Sequence, residues 1–168
     1  MLEEIVLQLH LYNMLLVMAA GTVTAVWGLI LFFRERRIAR ANKEAVAGSS
    51  EKPDTPPDGE KTENPPADLP RKALNRPWRI ALLITALLGA LQALLGLSLV
   101  LLGQKPPGGS LYYLHYVYGG IVALAIPLAV TYATGGKNLR RDILIYSLAA
   151  LILVAAGARA LMTGLGLP

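Results

Sequence analysis

Four long stretches of this chain carry almost no charge, and they limit its possible folds more than any other feature. Ile5 to Phe33 contains no Asp, Glu, Lys or Arg, and neither does Ile80 to Gln104 or Pro106 to Gly136. The fourth stretch, Ile143 to Leu167, has one charge, Arg159. A helix crossing the hydrocarbon of a bilayer needs about 20 mostly apolar residues, and all four stretches are long enough. Core helices of a soluble protein keep a polar stripe, which these runs lack. The pattern predicts an all-α integral membrane protein with spans at about 5–33, 78–103, 110–134 and 141–163.

The net charge is +5, and its distribution speaks for a membrane rather than nucleic acid. Fourteen of the 16 Lys and Arg residues fall in two connections, after the first stretch and between the third and fourth. Basic residues of short loops stay on the cytoplasmic side. Residues 34–79 and 135–142 are therefore expected in the cytoplasm of a multi-pass plasma-membrane protein, with both termini outside. The acidic start, "MLEEIV", lacks the basic region of a cleaved leader, so the first span is expected to be an anchor.

The first span should run on into the cytoplasm as a helix through about residue 47, because "RERRIARANKEAVA" consists of good helix formers. Residues 48–74 are rich in Pro and acidic side chains with little to bury, the composition of a disordered linker. The remaining connections are short, which makes successive spans antiparallel neighbours. The expected architecture is an up-down-up-down four-helix transmembrane bundle with a disordered cytoplasmic loop. Trp78 and Tyr132 should belong to an aromatic belt at the inner interface, and Tyr112, Tyr113 and Tyr116 to one at the outer. Glycines seven apart, Gly21 and Gly28 in the first span and Gly89, Gly96 and Gly103 in the second, read as smooth packing faces.

Each span also carries a polar group at a similar depth, roughly 7–9 Å below the outer boundary at a helical rise of about 1.5 Å per residue. These are His10, Ser98, His115 and Arg159. Ionisable groups inside a membrane tend to face the interior and mark function. The first and third helices of an up-down bundle are diagonal, which leaves room for a flat macrocycle between two imidazoles. His10 and His115 are candidate ligands of a haem iron. Gly119, one turn after His115, would let a porphyrin approach the backbone, and Arg159 would pair with a propionate. Tyr112 or Tyr116 would add a hydrogen bond. By helix count and histidine placement, the architecture is similar to small b-type membrane cytochromes.

Two functional classes follow. One is an electron-transfer protein with a haem b or a quinol in this layer. The other is an accessory subunit or assembly factor of a larger respiratory or photosynthetic membrane complex, with no cofactor required. The chain has no cysteine and no hydrolytic motif, so it is not expected to be an enzyme by itself. Its orientation is testable because no native thiol interferes. A membrane-impermeant thiol reagent applied to intact cells should label Gly108→Cys and leave Ser50→Cys unlabelled.

Overall fold

The computed structural model describes residues 1–49, 68–106 and 112–165. It contains four helices: α1 (Leu2–Ser49), α2 (Asp68–Leu101), α3 (Tyr113–Tyr132) and α4 (Leu139–Gly164). No strand occurs among the described residues. All four helices contain a segment long and apolar enough to cross a membrane. At about 1.5 Å per residue, the 48 residues of α1 make a rod of about 72 Å, far longer than a hydrocarbon core of about 30 Å.

The helices form a ring in chain order. α1 packs on α2, α2 on α3, α3 on α4 and α4 back on α1, while the diagonal pairs barely touch. Neighbours run antiparallel: Glu3 meets Gln104, His10 meets Gln92 and Thr24 meets Thr85. Outward faces are apolar as well as inward ones, with Leu83, Leu87, Leu94 and Leu97 exposed along α2. The interior is built of small and medium side chains. Val17 and Ala25 of α1 are buried in one cluster with Ala150 and Leu153 of α4 and Val122 and Ile126 of α3.

α2 begins at Asp68, so residues 68–74 of the expected linker are helical. Pro70 falls in the first turn, where backbone N–H groups have no intrahelical acceptor and proline costs nothing. The rest of the expected disordered segment, 50–67, lies outside the described residues. α2 stops in a Schellman motif, with Gln104 N–H bonding the Leu99 carbonyl, Gly103 N–H bonding the Val100 carbonyl, and Gly103 at φ +80. Gly103 is thus a helix terminator and not part of a packing face. The tight α3–α4 connection turns through Gly135 and Gly136, both with positive φ. The buried Asp142 carboxylate clamps this turn, accepting from Thr134 N (2.7 Å), Thr134 Oγ1 (2.8 Å) and Gly136 N (2.8 Å). Asn138 caps α4 by accepting from Arg141 N.

Trp78 departs from the aromatic-belt expectation. It is only 2% exposed and plugs the bundle between α1, α2 and α4. Its indole Nε1–H donates to the Thr24 carbonyl at 3.1 Å, and its ring faces Tyr146. Gly28 makes this possible, because a methyl at that position would overlap Ser147 Oγ and the indole nitrogen. Tyr132, by contrast, is 68% exposed, as an interfacial ring would be. Gly28→Ala should therefore cost about 1–3 kcal/mol through overpacking, and Gly120→Ala, where an added methyl meets nothing within 4 Å, should cost none. Thermal unfolding of the two variants in detergent measures the contrast.

Candidate functional site

Near the ends of α1 and α3 that lie away from the basic connections, two imidazoles face each other across the bundle diagonal. The ring centroids of His10 and His115 are 6.2 Å apart, with planes tilted by 52°. The α1 face that carries His10 also carries Met14, Val17 and Gly21, all buried, so the helix turns this histidine inward. His115 leads an α3 face that continues through Val122, Ile126 and Ala129, again buried.

Each histidine rests on a glycine of the neighbouring helix. A methyl added at Gly96 of α2 would stand 3.3 Å from His10 Cε1, and one at Gly164 of α4 would stand 3.1 Å from His115 Cε1. The His115 ring is fixed by a 2.9 Å hydrogen bond between Nδ1 and the Ala160 carbonyl. A carbonyl can only accept, so Nδ1 carries the proton, and in the neutral ring Nε2 keeps its lone pair. Thr163 Oγ1 donates to the same carbonyl at 3.1 Å.

His10 is held by a relay of amides. Asn13 Nδ2 donates to the Leu88 carbonyl (3.0 Å) and to Gln92 Oε1 (2.8 Å). Those two acceptors fix both amide orientations and turn the Gln92 nitrogen toward His10. That nitrogen lies 3.2 Å from both ring nitrogens. An atom equidistant from both at this range would collide with Cε1 if it lay in the ring plane. It must therefore sit over the ring face, an N–H···π arrangement. Asn13 and Gln92 are 5% and 6% exposed.

The other residues singled out from the sequence divide. Gly119 borders open space, since an added methyl there has nothing within 4 Å. Tyr116 stands edge-on to both His115 and Tyr112 (centroids 6.2 and 6.0 Å), so these two rings flank the pair from its exposed side. Ser98 does not join the layer. It is exposed, and its hydroxyl bonds back to the Leu94 carbonyl at 2.9 Å. Arg159 occupies a half-buried flank of α4, its guanidinium 6.0 Å from the centroid of Tyr118. Ala155 and Ile152, one and two turns before it, are exposed, whereas Ala156 and Gly157 are buried, so its face looks along α3 rather than into the centre.

Asn13, Gln92, Gly96 and Gly164 were not assigned to the site from sequence. The available signal was Asn13, three residues after His10 and hence on nearly the same face. Comparison with protein-family models, with curated proteins and with solved structures returns no match. The relay should behave as one unit in a double-mutant cycle read by thermal unfolding. Asn13→Leu alone should cost about 1–3 kcal/mol by stranding a buried partner, and adding Gln92→Leu should recover part of that loss.

Proposed function

We propose that this protein is a small membrane electron carrier that holds a b-type haem between His10 and His115, near the outer surface of the plasma membrane. One observation carries the reading, the 6.2 Å separation of two imidazoles on diagonal helices. A metal-bound imidazole nitrogen stands about 2 Å from the metal, with the ring centre roughly 1 Å behind it, so two imidazoles on opposite sides of one iron have centroids about 6 Å apart. The His115 tautomer agrees: a metal-ligating histidine commonly donates its other ring N–H to a carbonyl, as His115 does to Ala160. Gly119, one turn from His115, has no side chain to obstruct a flat ring, and an added methyl there would meet nothing within 4 Å. Arg159 supplies a cation for a propionate, and Tyr116 a hydroxyl at the rim. A haem held this way supplies one-electron transfer, while the chain's own groups orient the imidazoles and exclude water from them.

The test is a dithionite-reduced minus oxidised spectrum of protein produced with ample haem. A b-type band is expected, and His10→Ala or His115→Ala should abolish the six-coordinate low-spin signature. Gly119→Leu should block loading without lowering the melting temperature, and Arg159→Leu should shift the reduction potential. A flat spectrum overturns the haem reading. In that event, quinone-analogue binding weakened by the same histidine changes would point to a quinol site, where the unprotonated Nε2 of His115 accepts a hydroxyl. Full assembly into a larger complex with both histidines replaced by glutamine would point to an accessory subunit.

A further inference from the structure

Along the outward faces of α3 and α4 runs a groove of about 830 Å³ that starts at Tyr116, beside His115, and leads away from the histidine pair. Its walls are apolar, made by Val117, Ile121, Leu124, Leu128, Ile145 and Leu148, and its far end is bounded by Tyr132 and Arg141. We propose that this groove binds an anionic phospholipid, with one acyl chain along the walls and the phosphate at Arg141.

Three observations support a lipid. The first is length. Tyr132 lies eleven residues from Ile121, about 16 Å along a helix, close to the depth of one leaflet in a hydrocarbon core of about 30 Å. The second is the state of the charges at the mouth. Arg140 is committed elsewhere, with its guanidinium 5.1 Å from the Phe32 ring centroid on α1. The neighbouring Asp142 carboxylate is taken up by Thr134 and Gly136. Arg141 gives its backbone N–H to Asn138 and its charge also acts on the Asp142 carboxylate, while its side chain is exposed at the groove. A guanidinium there matches a phosphate in geometry and in sign. The third is the exclusion of the other apolar occupant. A second copy in the same membrane orientation would bring its own Lys137, Arg140 and Arg141 to the same level, and like charges would oppose the contact.

The experiment uses the full chain, purified in mild detergent, stripped of lipid and reconstituted into nanodiscs of phosphatidylglycerol or phosphatidylcholine. Native mass spectrometry after release counts the lipids retained. Phosphatidylglycerol should be retained about fivefold better, the effect of one basic side chain at an anionic surface. Arg141→Gln should remove this preference, and Arg140→Gln should preserve it. Gly120 lines the groove and has open space at its α-carbon, so Gly120→Leu should fill the groove and reduce retention of both lipids while the bundle stays folded. Equal retention of the two lipids by the unaltered chain would overturn the proposal, as would an undiminished preference in Arg141→Gln. A dimeric mass that Gly120→Leu converts to a monomer would also overturn it, in favour of a second copy.

Discussion

A bundle whose outward faces are leucine, isoleucine and valine cannot send its interior polar groups to solvent, and much of its internal order follows from that constraint. Among the described residues, no buried side-chain nitrogen or oxygen lacks a partner. Three of the resulting links join α1 to α2: Asn13 with Gln92 and the Leu88 carbonyl, Thr24 with Thr85, and Trp78 with the Thr24 carbonyl. Thr85 donates to Ala81, so Thr24 donates to Thr85, and each proton has one assigned acceptor. Such bonds are worth only about 0.6 kcal/mol each between membrane helices, whereas a stranded partner costs about 1–3 kcal/mol. Their effect lies mainly in fixing register, because sliding α2 by one turn would break all three together.

The same economy sets the histidines. An imidazole is bulky, and each of the two is admitted where the adjacent helix offers a glycine, Gly96 for His10 and Gly164 for His115. Glycine spacing in this chain therefore serves several ends. Gly21 lets α4 approach α1, Gly28 admits the indole, Gly96 seats a histidine, and Gly103 ends a helix. One seven-residue period covers four different local demands.

The number, type and order of the helices were legible because charge-free runs of this length have few other uses. The inward face of α1 was legible too, since Met14, Val17 and Gly21 share the spacing of His10. What the sequence hid was rotation about the axes of the other helices. In α4 nearly every residue is apolar or small, so periodicity does not say whether Ala155 or Ala156 faces inward, and the side taken by Arg159 depended on that choice. Trp78 misled for a different reason. A tryptophan at the end of a span suits an interfacial belt by depth alone, and only the space left by Gly28 on another helix draws it inside. The link from Gln92 to His10 depends on the antiparallel register of α1 and α2, which no local pattern reveals.

The Asp142 clamp has a consequence for how such a protein is made. By tying Thr134 and Gly136 to the start of α4, it joins α3 and α4 into a hairpin that can settle as a unit once both have left the ribosome. The α1–α2 pair is stitched separately, and each hairpin contains a single imidazole. The facing pair exists in neither half. It arises only on docking, when Gly21 of α1 meets Leu153 and Val154 of α4. A chain in which only one hairpin has formed thus lacks the pair altogether.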